Sequence, residues 1–142
     1  MYTLGQSITP DQAMRFALET AKQGRGFTSP NPLVGCVIVD KDHNFLGVGA
    51  HLKAGEAHAE INAFASVEDK SKLVDGTMYV TLEPCSHQGK TPPCSLAISK
   101  SPLRKVIYAT VDPNPLVAGK GIEQLRINGK EVEHFSEYEN AS

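Results

Sequence analysis

His58-Ala59-Glu60, Cys85 and Cys94 are the side chains in this sequence whose types and spacing can do chemistry together. One imidazole and two thiolates hold zinc well and leave a fourth position for water. A carboxylate that is not itself a ligand can then carry protons to and from that water, and Glu60 stands close to His58 in the chain. Zinc with two thiolates and a neutral imidazole is formally neutral. It should acidify water less than zinc held by three histidines, so a nearby proton acceptor is useful. On the flank of a regular helix His58 and Glu60 would point apart. They converge only if a helix end, rather than its side, faces the metal. The expectation is one zinc per chain, held by His58, Cys85 and Cys94, with Glu60 as proton shuttle.

Taken singly these residues say little. His-x-Glu recurs by chance, and a lone cysteine is more often a small buried residue. Together, with Pro84 before Cys85 and both cysteines at a strand–loop–helix junction, they favour zinc. Cys36 is the contrast: it lies in an apolar run with no His or Cys near it in sequence, and reads as core. Gly89-Lys90-Thr91 resembles the end of a phosphate loop. That motif needs a glycine where Pro84 stands, and Pro92-Pro93 follow where its helix should open. Gly119-Lys120-Gly121, ahead of a helix, is a weak anion-site candidate and reads more simply as a loop.

The elements that must position these residues follow from periodicity and punctuation. Thr9-Pro10-Asp11-Gln12 reads as a capping box with proline in the first turn. Ala13, Met14, Ala17, Leu18 and Ala21 then recur at helical spacing, and Gly24-Arg25-Gly26 should stop the helix. Ser29-Pro30-Asn31-Pro32 is a stiff loop. Leu33 to Val39 is a buried strand, Lys41 to Asn44 a hairpin turn, and Phe45 to His51 the returning strand. Ala57 to Val67 is predicted helical, with Ile61, Phe64 and Ala65 as its apolar face. Asp75-Gly76 breaks the chain before a strand from Thr77 to Leu82. Glu83 to Pro93 is loop, Cys94 to Lys100 a short helix, and Val106 to Thr110 a strand. Gly121 to Asn128 is a helix stopped by Gly129. Val132 to Phe135 is a last strand, and Ser136 to Ser142 a frayed tail. This order predicts a three-layer α/β/α sandwich around a mixed sheet of about five strands.

With 142 residues the chain suits one domain with its own core, spanning 1–142. Composition is that of an ordinary globular protein: 40% hydrophobic, 21% charged, net charge −2. A net-negative surface has no general attraction for nucleic acid or anionic membrane. No run approaches transmembrane length, and Met1 to Gln6 lacks the basic start and apolar core of a signal peptide. A cytoplasmic location follows, where cysteines are more often thiols or ligands than a disulfide framework.

His-x-Glu followed by Pro-Cys-x-x-Cys is the arrangement of the zinc-dependent base deaminases; here the second part is Cys-x8-Cys. His58-Ala59-Glu60, Thr81-Leu82-Glu83-Pro84-Cys85-Ser86-His87 and Thr91-Pro92-Pro93-Cys94 resemble the deaminase domain of the bifunctional riboflavin-biosynthesis proteins. So do Ser29-Pro30-Asn31-Pro32 with Val34-Gly35, and Asp112-Pro113-Asn114-Pro115 with Gly119-Lys120-Gly121. The likeness runs from Asp11 to Val132, and the long cysteine spacing is normal in that family. It implies a cytidine deaminase-like fold and hydrolytic deamination of a diamino-hydroxy-pyrimidine carrying a ribosylamino 5′-phosphate. It implies that His58, Cys85 and Cys94 bind zinc and that Glu60 shuttles protons. It also implies that Asn31, His51, His87, Lys90, Asp112 and Asn114 bind substrate. His51, His87 and Lys90 suit a phosphate; Asn31, Asp112 and Asn114 suit a ribose and a pyrimidine edge.

Family members commonly continue into a reductase domain, and this sequence carries no Gly-x-Gly-x-x-Gly for a nicotinamide cofactor. The chain is therefore expected to be either a stand-alone deaminase or an excised domain. Its expected partners are the phosphorylated pyrimidine, further copies of the chain, and a C-terminal or separate reductase. Two other readings compete. A nucleoside or transfer-RNA deaminase is disfavoured for a polynucleotide by the net charge and 6% aromatics. A zinc-stabilised binding module is disfavoured by Glu60, since a structural site would be closed by a fourth protein ligand.

Overall fold

The computed structural model describes residues 2–22, 34–51, 58–84, 94–111, 115 and 118–138. Helix α1 (Pro10–Ala21) starts as its sequence demands. The Thr9 side chain accepts from the Gln12 backbone N–H, and the Gln12 side chain accepts from the Thr9 N–H. Strands β1 (Gly35–Val39) and β2 (Phe45–Ala50) form a hairpin, with His43 at φ 67° in its turn. Helix α2 (Ala59–Ser66) follows, then β3 (Thr77–Leu82), α3 (Cys94–Lys100), β4 (Lys105–Thr110), α4 (Lys120–Ile127) and β5 (Glu131–His134). The ends of β3 and α3 fall where the sequence places them. Gly24-Arg25-Gly26 and Ser29 to Pro32 lie outside the described residues.

The sheet has the order β2-β1-β3-β4-β5. β1 is antiparallel to both β2 and β3, while β3, β4 and β5 run parallel. Alternate residues of each central strand feed two cores. Cys36, Ile38, Met78, Val80, Val106 and Tyr108 face α2, α3 and α4. Val37, Val39, Tyr79, Ile107 and Ala109 face α1. The connections through α3 and α4 advance in the same direction across the sheet, so one handedness puts both helices on one face. Fully burying a side chain such as Ile38, 0% exposed, contributes about 1.5–3 kcal/mol. Edge strand β5 is mostly exposed and carries Glu131, Glu133 and His134, which discourages further strand pairing.

Because β1 alone is reversed, the C-terminal ends of β2, β3 and β4 share one rim. The next helices α2, α3 and α4 begin on that rim, which is where open α/β sheets bind ligands. His51 follows β2, Glu83 follows β3 and Val111 follows β4.

Two expectations fail. The inner face of α2 is Ala59, Glu60 and Ala63; of the expected apolar face only Phe64 packs against that core, half-buried, while Ile61 is half-buried elsewhere and Ala65 is exposed. The cause lies in β2. A Cβ on Gly49 would stand 2.4 Å from the Ala63 backbone nitrogen and 2.5 Å from the Ala59 carbonyl oxygen. The helix backbone lies directly on the strand, and only small residues fit between. Gly49→Ala is expected to cost about 1–3 kcal/mol by overpacking, read as a lowered Tm; an unchanged Tm would mean that α2 can retreat without penalty. The tail also departs from expectation at its start. Ser136–Tyr138 forms a 3-10 turn, and the Tyr138 hydroxyl donates to Asp11 and accepts from Arg15 Nε at 3.1 Å.

Candidate active site

His58 is the N-cap of α2, and its ring does not cap the helix. It turns instead to Cys94, the first residue of α3, with Nδ1 3.1 Å from Sγ. Glu60 sits in the first turn of α2, 3% exposed, and Cys94 is 1% exposed. The ligand-type atoms of His58, Glu60 and Cys94 all lie within 4.8 Å of one another. The convergence is achieved as the sequence requires it: the end of the helix, not its flank, faces the group. The starts of α2 and α3 meet here, and both favour anionic neighbours.

His51 joins the cluster. Its backbone N–H donates to the Val34 carbonyl at 3.0 Å, which anchors it past the end of β2. Its ring lies edge-on to that of His58, centroids 5.3 Å apart at 89°. Asn31, Cys85, His87, Lys90, Asp112 and Asn114 lie outside the described residues.

Asn62, Cys36 and Glu83 surround the cluster, and of these the sequence assigned a place only to Cys36. Asn62, one turn beyond His58, donates its side-chain amide to the Ala50 carbonyl at 2.8 Å and so ties α2 to the strand end before His51. An asparagine inside a short helix was the available signal. Cys36 is core, as expected, but it lies under Glu60. Burial, and then the Glu60 charge, push its thiol well above the usual range, so it stays protonated and inert. Glu83 is buried, and its carboxylate accepts the Gly119 N–H. The anion position that Gly119-Lys120-Gly121 suggested is thus served by a carboxylate of the chain itself.

Residues 8–110 match the family model for the cytidine and deoxycytidylate deaminase zinc-binding region. The chain belongs to the cytidine and deoxycytidylate deaminase family. It is 51% identical over 120 residues to the riboflavin biosynthesis protein RibD of Aquifex aeolicus, covering 84% of this chain and 33% of that protein. It is 49% identical over 116 residues to the diaminohydroxyphosphoribosylamino-pyrimidine deaminase of Buchnera aphidicola subsp. Acyrthosiphon pisum, covering 82% of this chain and 77% of that one. A Thermotoga maritima diaminohydroxyphosphoribosylaminopyrimidine deaminase/5-amino-6-(5-phosphoribosylamino)uracil reductase superposes with a TM-score of 0.80 at 43% identity. That match covers 87% of this chain and 35% of that one. The chain thus spans about a third of the RibD protein it matches.

The cofactor of this deaminase family region is zinc, and the described residues fit it. Bonds of about 2.1 Å to nitrogen and about 2.3 Å to sulfur at a tetrahedral angle put the two ligand atoms about 3.6 Å apart. The His58–Cys94 contact of 3.1 Å is near that spacing. Among the described residues, no helix is long and apolar enough to cross a membrane.

Proposed function

We propose that this chain hydrolytically deaminates the diamino-hydroxy-pyrimidine bearing a ribosylamino 5′-phosphate, releasing ammonia and the corresponding amino-uracil. The observation that carries this is the 49% identity to a diaminohydroxyphosphoribosylamino-pyrimidine deaminase across 77% of that protein's length. The gathering of His58, Glu60 and Cys94 supplies the chemistry.

In this reading His58, Cys85 and Cys94 hold zinc, which when bound lowers the pKa of water and so provides a nucleophile at neutral pH. The chain's own work is proton transfer and positioning. Glu60 takes the proton that the nucleophile must lose. It then gives that proton to the departing amine. It lies buried in the first turn of α2, 3% exposed. His51, packed on the His58 ring, sits at the reacting end of the site and suits the pyrimidine. Lys90 and His87 remain as cations for the phosphate, and Asn31, Asp112 and Asn114 as partners for the ribose and ring edge. A reductase, C-terminal or separate, consumes the product. Further copies of the chain as assembly partners and a cytoplasmic location belong to the same reading.

The test is ammonia release by the zinc-loaded protein from the pyrimidine phosphate and from cytidine. A site built to hydrogen-bond one substrate rejects others by about 10⁴-fold, so kcat/KM should favour the pyrimidine phosphate by that order. A preference for cytidine, or no ammonia from the pyrimidine, overturns the reading.

A further inference from the structure

We infer that Glu83 is a positioning residue for this reaction. It ties the end of β4 and the start of α4, between which Asp112 and Asn114 fall in the sequence, to the end of β3. The inference rests on the functional reading above for the roles of Asp112, Asn114 and Cys85. Glu83 directly follows β3 and is 5% exposed. Its backbone N–H donates to the Thr110 carbonyl at 2.9 Å. Its two carboxylate oxygens accept the Gly119 N–H at 2.8 and 3.1 Å. Thr110 ends β4 and Gly119 is the N-cap of α4, so one residue fixes the entry and the exit of the stretch between them.

The neighbouring backbone shows how tight this junction is. A Cβ on Gly121 would lie 1.9 Å from the Pro84 carbonyl oxygen and 3.5 Å from Glu83 Oε2. The first turn of α4 therefore rests on Glu83-Pro84 with no space for a side chain. A buried carboxylate is costly unless it is bonded. Here the bonding includes an N–H at a helix start, where negative charge is favoured. Glu83 also immediately precedes Pro84-Cys85. Removing the side chain leaves the Thr110 bond and β3 intact, so the metal ligands should stay in place while the substrate segment loses its second anchor.

The full chain carrying Glu83→Ala or Glu83→Gln decides this by three readings: zinc per chain, steady-state ammonia release, and amide hydrogen exchange across residues 110–119. Glu83→Ala should keep its zinc, raise KM at least about tenfold with a smaller change in kcat, and speed exchange at Gly119. Glu83→Gln keeps an oxygen acceptor for Gly119 and should recover most of both effects. If Glu83→Ala does not fold, Glu83→Asp makes the same comparison, since it keeps the charge but falls a methylene short of Gly119. Wild-type KM and exchange in Glu83→Ala, or zinc lost in step with activity, would overturn the proposal. If the wild type itself releases no ammonia from the pyrimidine, the functional reading fails. The exchange measurement then still decides whether Glu83 holds the segment.

Discussion

Cys94→Ser is expected to lose its zinc and its turnover together. Cys94 is 1% exposed at the start of α3, with its sulfur 3.1 Å from His58 Nδ1. A serine hydroxyl there is not a thiolate at neutral pH and is a poor ligand for a borderline-soft ion. Changes to residues that merely touch a ligand cost about 10- to 100-fold in metal affinity, so loss of a ligand should exceed that. Elemental analysis after gel filtration should give close to one zinc per chain for the wild type and almost none for the variant. The fold should survive, since serine fills nearly the same space and His58 can bond to it. Chelation of the wild type should abolish ammonia release and zinc should restore it. Full zinc content in Cys94→Ser, or an active metal-free wild type, would remove Cys94 and the metal from the mechanism.

The parts of the fold that were legible in the sequence are those set by neighbours in the chain. The Thr9–Gln12 capping box, the bounds of β3 and α3 and the Gly129 stop, at φ 85°, each depend on a few adjacent residues. What escaped was decided across the molecule. Which side of α2 is buried follows from Gly49 in β2, on which the helix backbone rests, not from its own apolar residues. The destination of the Glu83 carboxylate depends on a loop that closes 36 positions later. The start of the tail is tied to α1 through Tyr138 and Asp11, 127 positions apart. The candidate site was half legible. Residue types gave the chemistry, and the His58–Glu60 spacing required a helix end. The partners that fix that end, Asn62 and Gly49, lie outside the motif, and only an asparagine inside a short helix hinted at one of them.

Glu60→Gln should separate proton transfer from metal binding. The amide keeps the size of the side chain and most of its hydrogen bonding, but cannot accept the proton. Glu60 stands within 4.8 Å of the ligand atoms of His58 and Cys94, so proximity alone allows it to be either a fourth ligand or a shuttle. The two roles give different variants. A ligand lost here would take zinc with it. A shuttle lost here would leave zinc at one per chain and the melting temperature close to that of the wild type. General acid–base catalysis contributes about 10²- to 10⁴-fold, roughly 3–5 kcal/mol of barrier. In the proposed mechanism Glu60 serves both the incoming nucleophile and the leaving amine, so on that reading kcat should fall by the upper end of that range or more. KM should move far less, because the lost interaction belongs to the transition state. Zinc loss would make Glu60 a ligand or a prop of the site. Retained zinc with near-normal kcat would mean that another group moves the proton, and the assignment of Glu60 would be withdrawn.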